Sequence, residues 1–409
     1  MEFQFYTLPN GIRIIHHPYK SSEVAHCGVI VNAGTRDEPL GREGLAHFIE
    51  HLLFKGTKRR KSYHILSRME IVGGEINAYT TKEETAIYST FMSPFLDRAM
   101  ELMYDVVYNS TFPEKELIKE KEVVLDEIAS YRDNPQEQIY DDFEGQVFQT
   151  HPLGKPILGT TKTVKSFNRE DIWNFIQKNY QPHRIAITVA GNYSMQKVIK
   201  TVAKYFDDIP AGINNYRKPS AHEYIPLTKS FPKETYQAHW IMGNVAYSYG
   251  HANRTAMALL NNILGGPGMN SRLNLSIREK YGFTYNIDST YQPYSDTGVF
   301  SIYLGTDKKA LEKTVRLVHK ELKKLREKKL GILQMKQARQ QLIGQIALGR
   351  ESKVNLMLSA GKYFLNFNKV DTLNEITNRI ESVSPENLLE IANEVFDPAK
   401  MSSLIFNSR

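Results

Sequence analysis

The chain has 409 residues, 41% hydrophobic and 24% charged, with a formal net charge of +7. That length exceeds one ordinary core and predicts two or three domains, while the composition excludes a disordered or fibrous chain. The single cysteine, Cys27, excludes intrachain disulfides and Cys-rich metal sites; within the apolar run 25–31 it is expected as a buried, inert thiol.

In chain order, residues 5–8 and 12–15 read as strands about a Pro9-Asn10-Gly11 turn. The amino terminus has no basic region followed by an apolar core, and no apolar run could span a bilayer. The expectation is therefore no signal peptide, no membrane and a cytoplasmic location. Residues 24–31 read as a strand, and Ala33-Gly34-Thr35 as a loop into a helix carrying His47-Phe48-Ile49-Glu50-His51. Two β-favouring runs follow within 76–91. The spacing of Leu96, Met100, Met103 and Val107 predicts a helix over 94–108, and 113–132 reads as a long, highly charged helix. A helix over 171–179 and a buried strand over 185–189, stopped by Gly191-Asn192, complete an α/β layered pattern.

Periodicity stops between residues 207 and 236, where Pro210, Pro219, Pro226 and Pro232 accompany Gly212 and Asn214-Asn215. This predicts a domain at 1–212, a linker at 213–230 and a second domain at 231–409. The two halves look like copies. Ala25-His26 and Ala238-His239-Trp240 each begin a strand, followed by mostly apolar helices over 45–56 and 255–266. A shift of about 210 residues puts Met257, Leu260 and Asn261 opposite His47, Glu50 and His51, so only the first copy keeps the chemistry. Further on, the lysines around 308–329 punctuate an amphipathic helix with Leu311, Val315, Val318 and Leu322. They read as a solvated face, and no nucleic-acid recognition module accompanies them.

At about 100° per residue, His47, Glu50 and His51 fall within one arc of roughly 100° on their helix. Leu45, Phe48, Ile49, Leu52 and Leu53 take the opposite face, as in a helix packed on a core. Two imidazoles at i, i+4 can hold one zinc ion, and the carboxylate between them can take a proton from a water that the metal activates. A hydrogen-bonded cleft pair of histidines is the structural alternative. Two histidines leave zinc short of a third protein ligand, and the many carboxylates of 113–132 do not single one out by spacing.

The H-x-x-E-H order resembles the inverzincin zinc peptidases of the pitrilysin and insulysin type, which include the mitochondrial processing peptidases; the chain looks like a half-length bacterial member. The resemblance extends over essentially the whole chain. It implies an α/β (α+β) fold of two homologous layered domains, each a mainly antiparallel sheet packed with helices, forming half of a clamshell. In that family the third ligand lies about 76 residues after the second motif histidine, which falls on Glu127. A further family glutamate matches Glu120, on the same helical face, as an orienter of a motif histidine. Gly73-Gly74-Glu75-Ile76-Asn77-Ala78-Tyr79-Thr80 looks like the family's substrate-binding edge strand, with Asn77 and Ala78 aligning an extended peptide. The segment 151–160 resembles a family loop and is expected to be structural.

Arg278 and Tyr285 match an Arg/Tyr pair that contacts substrate, where both could donate hydrogen bonds to an oxyanion. The glycine-rich run 264–269 before them lacks the ending of a phosphate loop. Taken together, the resemblance implies a zinc endopeptidase with one Zn2+ per chain, held by His47, His51 and Glu127, with Glu50 as general base. Its partners would be peptides or unfolded segments taken into a chamber. A homodimer with sites completed in trans is expected, and a heterodimer is the alternative. Rival expectations are a non-catalytic or partner-dependent subunit of a peptidase heterodimer, and a module that grips basic or extended peptides without cutting them.

Overall fold

The computed structural model describes residues 3–212, 217, 219–220 and 223–408; within the expected linker, residues 213–216, 218 and 221–222 lie outside that description. The chain divides into two units. The first comprises Met1–Ala129, Lys155–Lys218 and Leu348–Thr372, and the second Ser130–Gly154, Pro219–Ala347 and Leu373–Arg409.

The first unit is built on strands β1 (Gln4–Thr7), β2 (Arg13–Pro18), β3 (Val24–Val31), β4 (Glu75–Thr80), β5 (Thr85–Met92) and β6 (Ile185–Gly191). They lie in the order β1-β2-β6-β3-β5-β4, antiparallel except for the β2/β6 pair. Helices α1 (Leu45–Leu52), α2 (Ser62–Glu70) and α3 (Leu96–Tyr108) belong here, as does α4 (Glu114–Arg132) up to Ala129. After α5 (Pro135–Val147), which lies in the second unit, come α6 (Thr161–Ser166), α7 (Arg169–Asn179) and α8 (Met195–Phe206). One face of the sheet buries Val29, Val31, Ile87 and Ile187 against Phe48 and Ile49 of α1 and Met103 of α3. Each such large side chain contributes about 1.5–3 kcal/mol by leaving water. Cys27 lies fully buried in this core, where desolvation pushes its thiol pKa up.

In the second unit, β7 (Thr228–Lys233), β8 (Ala238–Ala246), β9 (Thr284–Pro293), β10 (Gly298–Thr306) and β11 (Ser402–Ser408) form a sheet of order β7-β11-β8-β10-β9. Only β7/β11 is parallel. Helices α9 (Arg254–Gly265), α10 (Leu311–Glu327) and α11 (Ile332–Gly349) precede α12 (Lys353–Phe367), which packs in the first unit; α13 (Leu373–Ser382) and α14 (Pro385–Val395) follow. The order repeats that of the first sheet without β1, down to the single parallel pair. On α9, Met257 and Leu260 are buried in the core where the first copy has His47 and Glu50. The lysines of α10, including Lys313, Lys320 and Lys323, are exposed, with Val318 and Leu322 buried beneath.

The units exchange segments that one boundary at 213–230 does not convey. On the second face of the first sheet, Ile15, Ile30 and Ala186 are covered by Met357, Leu358 and Phe364 of α12. Contact is close enough that a Cβ on Gly361 would stand 2.2 Å from Ile30 Cδ1. In the second unit, Ile139, Phe143 and Val147 of α5 cover Ile241, Tyr303, Leu404 and Phe406. Each sheet has two apolar faces, so each needs helices on both sides. The strand β7 also starts inside the stretch read as linker. Its Pro232 is tolerated because β7 is an edge strand with only one neighbour.

Candidate metal centre

Helix α1 begins at Gly44, whose φ of 91° is left-handed and whose absent side chain cannot cap the helix. A Cβ there would meet the Leu158 carbonyl oxygen at 2.6 Å, so the loop ending at Gly159 seats directly on the start of the helix. Capping is supplied instead by Glu38, whose carboxylate accepts the N–H groups of Gly44 (3.0 Å) and Ala46 (2.8 Å). Burial raises the Glu38 pKa, with these two bonds pulling the other way. Leu45, Phe48, Ile49 and Leu52 are fully buried, and that packing fixes the rotation of α1. His47 and His51 are thereby held with ring centroids 4.6 Å apart.

Helix α4 supplies the carboxylates. Leu117 and Val124 anchor it in the core, and Glu120 and Glu127 face the histidines. Ligand atoms of His47, His51 and Glu127 all lie within 4.8 Å of one another. Glu127 Oε1 is 3.7 Å from His47 Nε2, and Oε2 is 3.6 Å from His51 Nε2. These separations are too long for hydrogen bonds but near the spacing, about 3.4 Å, of two ligands on one tetrahedral zinc. Glu127 Oε2 is also buried without a hydrogen-bond partner, an orphan that a cation would satisfy.

The residue behind His51 completes the fit. Glu120, 4% exposed, accepts a 2.9 Å hydrogen bond from His51 Nδ1, and its other oxygen takes 2.7 Å from Lys55 Nζ. A carboxylate only accepts, so the His51 proton is on Nδ1 and the Nε2 lone pair is free for a metal. Burial lowers the His47 pKa to about 3, assisted by His51, which keeps its imidazole in the neutral, ligating form. His51 is also lowered by burial, but Glu120, Glu127 and Glu50 outweigh that and raise it. The same negative field would favour a bound cation. The Glu120 carboxyl is raised by burial yet ends below its usual range, because His51 and Lys55 hydrogen-bond to it. Burial pushes Glu50 above the ordinary carboxyl range. Thr80 stands beside Glu50 without an aligned hydrogen bond.

Among the sequence-predicted residues, His47, Glu50, His51, Glu120 and Glu127 are brought together. Asn77 and Ala78 lie midway along β4, the free edge of the first sheet, with Asn77 exposed and Ala78 half-buried beside the core. Arg278 and Tyr285 belong to the second unit. Arg278 sits on the wide helical turn Asn274–Glu279, its guanidinium 3.5 Å from Asn274 Oδ1, and Tyr285 is 81% exposed at the start of edge strand β9. Lys55 and Glu38 are contributors that sequence reasoning missed. Lys55 lies just past the end of α1, and its spacing of four from His51 is the one signal that could have found it. Glu38, in a loop far from any periodic signal, left no such trace.

Residues 13–161 match the family model described as insulinase (peptidase family M16), and residues 166–342 match the model described as the peptidase M16 inactive domain. A protein of Rickettsia bellii described as an uncharacterized zinc protease is 34% identical over 405 residues, covering 98% of this chain and 97% of its own length. The uncharacterized zinc protease YmxG of Bacillus subtilis is 34% identical over 393 residues, covering 96% of this chain and 95% of its own. The fold is also that of a protease from Helicobacter pylori, with a TM-score of 0.90 at 23% identity over 99% of both chains. A peptidase M16 inactive domain structure from Pseudomonas fluorescens gives 0.93 at 19% identity, over 100% of this chain and 98% of that one.

Proposed function

The chain belongs to the insulinase family, peptidase family M16, and on that premise we propose that it is a zinc-dependent endopeptidase acting on peptides or unfolded segments within a chamber. The observation that carries this is the set His47, His51 and Glu127, with ligand atoms spaced for one cation and Glu120 fixing the His51 tautomer. When bound, one zinc per chain would act as a Lewis acid, lowering the pKa of a water and polarising a peptide carbonyl. Glu50 takes the proton of the attacking water at its carboxylate and returns it to the leaving nitrogen, and its burial-raised pKa makes it a better base. Asn77 and Ala78, on the free edge of β4, align the substrate backbone as an added strand. Arg278 and Tyr285 donate hydrogen bonds to the oxyanion. We assign them to the neighbouring copy of a homodimer, so each site is completed in trans. No described helix is long and apolar enough to cross a membrane, and we place the enzyme in the cytoplasm.

Glu50→Gln tests the mechanism. Zinc content should be unchanged while hydrolysis of an unstructured peptide falls by at least about 100-fold, the low end of general-base contributions. Full activity in this variant would overturn the assignment. Absence of zinc from purified wild-type protein would instead favour a non-catalytic subunit.

A further inference from the structure

We propose that Arg217, within the stretch read as linker, is a positioning residue for the general base: it clamps together the two loops that support α1 and the end of β4 on either side of Glu50. This rests on the peptidase reading above and adds a residue to it. Arg217 belongs to the first unit, and its side chain is 12% exposed. Its guanidinium donates to the Asp37 carboxylate from Nη2 (2.6 Å) and Nε (3.2 Å), and to Glu83 Oε1 from Nη1 (3.4 Å). A further bond runs from Nη2 to the Glu83 carbonyl oxygen at 2.9 Å. Arg184 meets Asp37 at 2.9 Å and Arg36 meets Glu83 at 2.5 Å, whereas Arg217 meets both carboxylates. The Asp37 and Glu83 side chains are only 9% and 6% exposed, and carboxylates so far from water are costly unless paired. Burial would raise the Asp37 carboxyl, yet Arg217 first and Arg184 after it hold it below the usual range.

The two anions lie on different segments. Asp37 ends the short turn Thr35–Asp37, and the next residue, Glu38, caps α1 through Gly44 and Ala46. Glu83 lies on the turn between β4 and β5, soon after Thr80, which stands beside Glu50. The two segments also meet through backbone: the Thr35 N–H donates to the Thr81 carbonyl at 3.1 Å, and the Arg36 N–H to that of Lys82 at 2.9 Å. A Cβ on Gly34 would stand 2.3 Å from the Thr81 carbonyl oxygen, so this approach requires glycine. Glu50 rides on α1 and Thr80 on β4, and Arg217 ties the supports of both. His47 and His51 are held from elsewhere, by the core-facing side chains of α1 and by Glu120. Loss of the clamp therefore displaces the base more than the metal ligands.

The test uses the full-length protein as purified, an unstructured peptide as substrate, and Arg217→Ala. In this variant kcat should fall roughly 10- to 100-fold, the upper end being the cost of a misplacement of about 1 Å. KM and zinc affinity should be unchanged, which a general loosening of the domain would not allow. Guanidinium chloride, too dilute to unfold the protein, should return part of kcat to the variant and add none to the wild type. Should Arg217→Ala not fold, Arg217→Lys keeps the charge without the fork and should show the same loss in weaker form. Amide hydrogen exchange gives a readout independent of activity. It should quicken at residues 35–38 and 80–85 in the variant, slow again with guanidinium, and stay unchanged in α4. Unchanged kcat, a loss that guanidinium does not relieve, a matching loss of zinc, or unaltered exchange would overturn the clamp while leaving the peptidase intact. If the wild-type protein cuts no peptide, the peptidase reading falls, and exchange alone decides the clamp: faster exchange relieved by guanidinium sustains it, and equal exchange overturns it.

Discussion

His51 has its two ring nitrogens committed to different tasks: Nδ1 to Glu120, and Nε2 to the space it shares with His47 and Glu127. The division depends on Glu120 remaining an acceptor with full charge, and Lys55 secures that by neutralising its second oxygen. Glu120→Gln keeps the shape and an amide oxygen for Nδ1, but it removes the charge and leaves Lys55 without its partner. Zinc affinity should fall about 10- to 100-fold, as for other loss of a carboxylate behind a metal-binding histidine. Competition with a chromophoric chelator measures this directly, and an unchanged affinity would show that Glu120 does not orient His51. Dialysis of the wild-type protein against chelator should abolish hydrolysis, with activity returning on addition of zinc. Sequence reasoning reached these residues unevenly. His47, Glu50 and His51 announce themselves through helical spacing, but Glu127 could be chosen among the carboxylates of α4 only through the family resemblance. Lys55 was missed because a charged residue near a helix end is by default read as a solvated one.

At the scale of elements, strands and helices with regular apolar spacing were legible, and partner choice was not. The strand β3 falls at the predicted 24–31, and α4 begins one residue from the predicted start. Nothing in the apolar stripe of α5 or α12 says which sheet it covers, since amphipathicity defines a face and not its partner. Docking of α12 also creates a pH liability. His17 on β2 is 9% exposed, and its pKa is lowered to about 4 by burial first, then by the nearby charge of Lys353 at the start of α12. The folded-state pKa lies below the unfolded value of about 6.5, so between those values the unfolded chain holds the extra proton. Stability from this group is therefore present above about pH 6.5 and is lost as pH falls towards 4. The melting temperature of chelator-treated protein should fall over that window, and His17→Gln should make the fall shallower. An identical slope in the variant would mean that other groups carry the acid sensitivity.

Among the described residues the molecule holds one candidate metal centre, carried by one of two copies of a common scaffold. The second sheet repeats the first apart from β1, yet Met257 and Leu260 have turned the matching helix face into core. A duplicated fold that keeps its site in one half leaves the other half free for a different task, and Arg278 and Tyr285 on that half are the groups proposed for it. Supply of this pair by a neighbouring copy makes a quantitative prediction. Chains carrying Glu50→Gln and chains carrying Arg278→Ala should each be inactive as homodimers. In an equal mixture with free exchange, half of the dimers pair one chain of each kind. A trans arrangement then joins the intact Glu50 of one chain to the intact Arg278 of the other at one of the two sites. About a quarter of wild-type activity should return. In a cis arrangement every site keeps one defect, and none returns. Subunit exchange, followed by affinity-tag co-purification to confirm mixed dimers, makes the comparison decisive. Inactive mixed dimers would show that Arg278 and Glu50 serve within one chain, and mixtures that never form dimers would remove the homodimer itself.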